Sequence, residues 1–137
     1  DRLDACDAMI FGSPTYMGSA SAAFKQFMES TSQRWMQQRW AMKLAAGFTN
    51  SGSQNGDKQN TLVQFLTLAA QHGMLWVSLD LPGGYETAVP NRLGAQGGLV
   101  AQTRNAGLHD ADLATATYLG RRVAGLSAHW RNAALAA

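Results

Sequence analysis

The chain has 137 residues, 46% of them hydrophobic, enough for one domain with a real core. Charged residues make up only 15% and the formal net charge is +2; the basic residues are scattered, with Arg121 and Arg122 the one adjacent pair, so the basic stripe expected of a nucleic-acid binder is missing. The single cysteine, Cys6, excludes an internal disulfide, fits a reducing cytoplasm and reads as a small core residue, and no apolar run reaches the length of a membrane span.

Along the chain, Ala8–Phe11 is short and apolar and ends at Gly12-Ser13-Pro14, which predicts a buried strand breaking into a loop. From Ser21 the spacing turns helical. Ala22, Ala23, Phe24, Phe27 and Met28 share a broad face, and Ser19 or Ser21 is placed to cap the helix. After a segment rich in Trp, Gln and Arg, the run Leu44–Phe48 predicts a second buried strand. It opens into Thr49-Asn50-Ser51-Gly52-Ser53-Gln54-Asn55-Gly56-Asp57, too polar and flexible to be core. Thr61–His72 has helical spacing, with Gly73 at the position of a left-handed cap. Met74–Leu79 predicts a third strand, and Leu81–Gly98 a long loop of the kind that serves function or covers something. Asp110 or Asp112 would cap a last helix whose inner face reads as Leu113, Thr117, Gly120, Val123, Ala124 and Trp130.

Strand and helix alternate three times, which implies a parallel sheet with right-handed crossovers. Ligands of open α/β sheets sit beyond the carboxyl ends of the strands. Ser13–Gly18 and Asn50–Asp57 both follow strands directly, so they should converge on one edge.

Specific residues sharpen this. The run Asp7-Ala8-Met9-Ile10-Phe11-Gly12-Ser13-Pro14-Thr15-Tyr16-Met17-Gly18 resembles the third strand and flavin-ring loop of the WrbA-like branch of the flavodoxin family. Lys43-Leu44-Ala45-Ala46-Gly47-Phe48-Thr49-Asn50-Ser51-Gly52-Ser53 resembles that family's fourth strand and second flavin loop. Ala70-Gln71-His72-Gly73-Met74 is similar to the turn before its fifth strand, and Asp112-Leu113-Ala114-Thr115-Ala116 to its last helix. The resemblance implies an α/β, flavodoxin-like three-layer sandwich, FMN as cofactor and NAD(P)H as co-substrate. It also implies quinones as electron acceptors and a homodimer or homotetramer. The rival readings are an NAD(P)H-dependent FMN reductase, in which flavin is the substrate, and a flavodoxin-type electron carrier. Carriers tend to be acidic, and this chain is mildly basic.

The implied flavin-ring contacts are Ser13, Pro14, Thr15, Tyr16, Met17 and Gly18 on one side and Thr49, Asn50, Ser51, Gly52 and Gln54 on the other. Chemistry supports the choice. The ring's pyrimidine edge carries carbonyls and N–H groups that loop amides can pair with, and fixed N–H dipoles stabilise the negative charge of reduced flavin. His72 and Tyr16 are the implied catalytic residues, orienting a quinone oxygen. For His72 an equal alternative is a charged histidine at a helix C-terminus. Trp35 and Trp40 read as packing or as a stacking wall, and Arg92 as a partner for a nicotinamide phosphate or as a solvated loop residue. No His, Cys, Asp and Glu spacing suggests a metal.

The family pattern opens with two βα units, roughly 60 residues from the ~30-residue size of such a motif. The first of them carries the phosphate-cradling loop. Neither unit has a counterpart here, so the chain reads as one domain, 1–137, truncated at its N-terminus. Its first strand is expected to be a bare apolar edge.

Overall fold

The computed structural model describes residues 2–104 and 107–135, with side chains through Asn132. In chain order the elements are β1 (Ala8–Tyr16), β2 (Ser19–Ala20), α1 (Ala22–Ser30), α2 (Ser32–Met36), β3 (Leu44–Ser51), α3 (Lys58–Gln71), β4 (Leu75–Trp76), β5 (Leu99–Arg104), β6 (Gly107–Leu108) and α4 (Asp110–Leu135). The sheet runs β2-β1-β3-β5-β6, with β4 also on β3. Pairing among β1, β3, β4 and β5 is parallel, and the short β2 and β6 fold back antiparallel.

Alternation along β1 explains the layers. Met9, Phe11, Ser13 and Thr15 point to one face, and Ile10, Gly12, Pro14 and Tyr16 to the other. The first face joins Ala45, Leu62, Phe65, Leu68, Ala69 and Val100 in a core that α1 flanks with Phe24, Phe27 and Met28. Full burial of a ring such as Phe65 contributes about 2–3 kcal/mol before entropy is counted. On the opposite face α4 sets Leu119 and Val123 against Leu44, Ala46, Val77, Leu79 and Leu99. Three layers result, with helices on both sides of a mostly parallel sheet.

Several expectations change. The first strand does not break at Gly12-Ser13-Pro14 but runs to Tyr16. Proline is tolerated there because β1 is an edge strand at that level, where a missing donor breaks no ladder. Leu99–Arg104, to which the sequence assigns no element, is a full strand. It takes over the flank of β3 from β4, which pairs only at Leu44 and Ala45. Cys6 is exposed, not core. The inner face of α4 is Ala111, Asp112, Thr115, Leu119 and Val123, whereas Leu113 and Trp130 are exposed. Val123 alone survives from the face expected.

The helix ends follow ordinary chemistry. The Ser21 hydroxyl accepts from the Phe24 N–H and starts α1. Gly73, at φ +67, turns the chain out of α3 as expected. For α4 the capping acceptor is His109, whose Nδ1 takes the Ala111 N–H at 3.1 Å. Asp112 is engaged elsewhere.

Candidate functional site

The two segments singled out in the sequence meet at one edge. In the parallel ladder Ser13 faces Thr49 and Pro14 faces Asn50, and Asn50 in turn faces Ala101 of β5. Beyond Pro14 the chain makes a tight hairpin, Tyr16 opposite Ser19, with Met17 at φ +49 and Gly18 at φ +76 at its tip. Two successive left-handed residues are what a two-residue hairpin requires; glycine adopts that conformation freely and methionine only at a cost. Met17 is fully solvent-exposed and Tyr16 largely so.

The hairpin is held from α3. The Asn60 amide donates to the Gly18 carbonyl at 2.7 Å, and the Ala20 N–H donates to the Gln64 side-chain oxygen at 3.1 Å. Beneath it, Thr15 Oγ1 lies 2.7 Å from Thr49 Oγ1 and 2.8 Å from Thr61 Oγ1, a buried hydroxyl triad linking β1, β3 and α3. Ser13 points the same way, its hydroxyl accepting the Ser21 N–H. The side chains of Ser13, Thr15 and Thr49 are therefore structural: they fasten the edge from below. Its accessible parts are the hairpin tip, Gly52 and the side chains of Tyr16 and Met17.

Asn50 supplies the most telling atom. Its Nδ2 donates to Thr103 Oγ1 at 2.6 Å, but its Oδ1 is buried with no hydrogen-bond partner. A buried acceptor left unpaired costs about 1–3 kcal/mol. A planar heterocycle presenting an N–H would pair it, so the edge fits a flavin pyrimidine ring. Gly52 is exposed, its carbonyl accepting from Gln102 Nε2 at 3.1 Å, while Lys58 Nζ donates to Ser51 Oγ at 3.3 Å and to the Ser53 carbonyl at 2.6 Å. Gln54 lies one step away, on a cavity it shares with Lys58.

His72 is not brought to this edge. It caps the C-terminus of α3, a 14-residue helix whose first turn lies beside Ser51, so about 20 Å of helix at 1.5 Å per residue separates the two. It is buried, 2.9 Å from Thr31 Oγ1 and stacked on Trp40 with ring centroids 4.4 Å apart. Burial, aided by the Arg34 charge, pulls its pKa below the ordinary value. Both earlier readings of His72 fail within one chain: it neither reaches the loops nor suits a charged helix-end role. Trp40 is packing, fully buried, its indole N–H donating to Asp4. Trp35 is half-exposed on a shallow cavity beside His72. Arg92 is neither solvated nor free: it makes a bidentate pair with Asp112 at 2.8 and 2.7 Å. Among the described residues no cluster of His, Cys, Asp and Glu could hold a metal. No helix there is long and apolar enough to cross a membrane.

Sequence reasoning missed Lys58, Asn60, Gln64 and Thr61, which fix the two loops from α3. Their only signal was polarity on the first turns of a helix that follows a loop.

Comparison with known proteins agrees with this geometry. Residues 1–80 match the family model described as NADPH-dependent FMN reductase. The chain is 42% identical over 132 residues to flavodoxin FldP of Pseudomonas aeruginosa, covering 90% of this chain and 72% of that protein. It is 30% identical to an NAD(P)H dehydrogenase (quinone) of Geobacter sulfurreducens, covering 93% of this chain and 65% of that protein. Among solved structures, a flavodoxin, WrbA-like protein from Agrobacterium tumefaciens superposes with a TM-score of 0.76 at 44% identity, covering 93% of this chain and 69% of that one. The chain thus spans about two thirds of the length of these relatives. With the parallel sheet and the paired strand-end loops already described, it belongs to the NADPH-dependent FMN reductase family, in its flavodoxin-like, WrbA-like branch.

Proposed function

We propose that this chain carries the flavin-ring-binding part of an FMN-dependent oxidoreductase that moves electrons from NAD(P)H to quinones. The observation that carries the reading is the shared edge: Pro14 beside Asn50 in the ladder, the hairpin tip just beyond Pro14, and an Asn50 Oδ1 left without a partner. When bound, FMN would supply the two-electron relay between nicotinamide and quinone. The chain's own work is to bind and orient. Main-chain N–H groups of the Tyr16–Gly18 tip and of Gly52 would hold the polar edge of the ring, and Asn50 Oδ1 would accept an N–H from it. Pro14 and the threonine triad keep both strand ends rigid, so the donors need no reordering when charge develops on the ring. Tyr16, exposed beside the tip, would orient a quinone oxygen, and His72, buried at the far end of α3, takes no part within the chain.

Homodimer or homotetramer formation is part of the proposal. Trp35, Met36, Met42 and Tyr85 leave large apolar side chains in solvent, as an unfilled contact surface would. The exposed thiol of Cys6 suits a reducing, cytoplasmic setting. A second reading, a flavodoxin-type electron carrier, is favoured by the 42% identity to FldP. Steady-state NAD(P)H oxidation with a benzoquinone acceptor by the flavin-loaded protein separates them. Multiple turnovers support the oxidoreductase. Reduction of the bound flavin by an external reductase, with no NAD(P)H turnover, supports the carrier.

A further inference from the structure

Beside the first turn of α3 lies a cavity of about 340 Å3, walled by Gln54, Asn55, Lys58, Gln59 and the Arg92–Gly94 stretch. Lys58 is 2% exposed, which is unusual for an ammonium. Its hydrogen-bond partners, the Ser51 hydroxyl and the Ser53 carbonyl, are both neutral, and among the described residues it has no carboxylate within ion-pair distance. Arg92 faces the same cavity. Its Nε and Nη2 are committed to Asp112, whose Oδ2 also accepts the Gln102 N–H. Three guanidinium N–H groups and one ammonium N–H remain beyond these bonds. Two carboxylates are near. Asp112 is spent on Arg92 and does not line the cavity, and Asp57 turns toward Gly18 of the hairpin. The cavity is therefore walled by the Lys58 ammonium and by an Arg92 guanidinium whose carboxylate partner, Asp112, stands outside it.

Such a site is costly empty. Burial pulls Lys58 below its ordinary pKa, Asp112 opposes this, and the Arg92 charge adds to it. An anion between the two cations removes that cost. Arg and Lys together, flanked by the side-chain amides of Gln54, Asn55 and Gln59, provide the many diverging donors that a tetrahedral, multiply charged group takes up.

We propose that this cavity is a phosphoryl-binding site in which Lys58 and Arg92 grip the anion. The site adjoins the proposed flavin loop through Ser51, Ser53 and Gln54, but phosphate titration without flavin reads it separately from the redox reading. The phosphoryl group has two possible sources, free phosphate or the monoester of a nucleotide.

The experiment is calorimetric titration of the full chain with inorganic phosphate and, separately, with adenosine 2′,5′-bisphosphate, at constant ionic strength in chloride. Saturable one-to-one binding of either is expected, weakened about tenfold or more in Lys58→Met, the loss of one charge-assisted contact. Binding of the bisphosphate alone assigns the site to a nucleotide, and binding of both to the phosphoryl group itself. No binding of either probe to the wild-type chain overturns the proposal, and so does unchanged binding to Lys58→Met. If circular dichroism shows Lys58→Met unfolded, Gln59→Glu takes its place. That exposed residue would set a carboxylate at the cavity wall, and undiminished binding there overturns the proposal equally.

Discussion

At His72 a single hydroxyl proton decides the chemistry. Thr31 Oγ1 spends its hydrogen on the Met28 carbonyl at 2.7 Å, so the 2.9 Å contact with His72 must be donated by Nε2–H. The other nitrogen, Nδ1, is then a bare acceptor, buried without a partner. Protonating it would bury an unpaired cation, and Arg34 adds repulsion. The folded-state pKa thus lies below the unfolded value of about 6.5. Between those two values the unfolded chain binds more protons than the folded one, so stability falls as pH falls. It is complete above about 6.5, declines through the window below it, and levels off once the folded histidine is itself protonated. Urea midpoints followed from pH 7.5 downward should drop more steeply for the wild type than for His72→Gln, which keeps an amide N–H for Thr31. Parallel curves would show that His72 does not titrate into a buried charge. That His72 is buried and remote from the loops follows from topology as much as from the residue. A helix after a parallel strand runs back to the strand's start, so its last residue cannot stand where its first one does.

Elements were legible where periodicity was strong and local. β1, β3, α1 and α3 all exist where the sequence centres them, though β1 and β3 run further at their ends and α3 starts earlier, and the meeting of the two strand-end segments follows from their parallel order. What was not legible depended on distant partners. Leu99–Arg104 is a strand because β3 has an open flank beyond Gly47, and nothing within six residues announces that. The inner face of α4 is displaced because Asp112 is drawn inward by Arg92, twenty residues away, and a buried carboxylate is invisible to hydrophobic periodicity. The β3–β5 contact has its own test. A Cβ on Gly98 would lie 2.6 Å from the Gly47 carbonyl oxygen and 3.0 Å from Leu62. The first of these is backbone in the middle of the sheet and cannot swing aside. Gly98→Ala should therefore cost about 1–3 kcal/mol as an overpacked site. Gly125, exposed on α4, would meet nothing, and Gly125→Ala should gain roughly 0.5–1 kcal/mol from helix propensity. Guanidinium midpoints of the two variants should move in opposite directions. If Gly98→Ala is as stable as the wild type, β5 does not approach β3 this closely.

Across the whole molecule the two faces of the sheet are unequally covered. The face under α1 and α3 is closed. On the other, α4 covers β3 and β5 but leaves Ile10 41% and Phe48 43% exposed, the Phe48 ring lying across Gly12. An apolar hollow of about 220 Å3 opens there between Ile10, Phe48, Leu99 and Leu119. The outer edge of β1 is paired only at Thr15 and Tyr16, through β2, and its remaining length borders a second apolar groove containing Leu3, Phe11, Phe24 and Phe27. The bare edge expected from the sequence is therefore present among the described residues. A strand with unpaired amides beside exposed apolar side chains is a template for association. With a net charge of only +2, little long-range repulsion opposes it. This chain should self-associate as its concentration rises, and sooner in ammonium sulfate, which strengthens apolar burial. Ile10→Lys puts a charge in the middle of the open face without touching the closed one. It should delay association while leaving the unfolding midpoint nearly where it was, since the side chain already stands partly in water. Static light scattering against concentration reads the first effect, and a urea titration the second. If the two proteins scatter alike at every concentration, the open face of β1 is not the surface through which the chains meet.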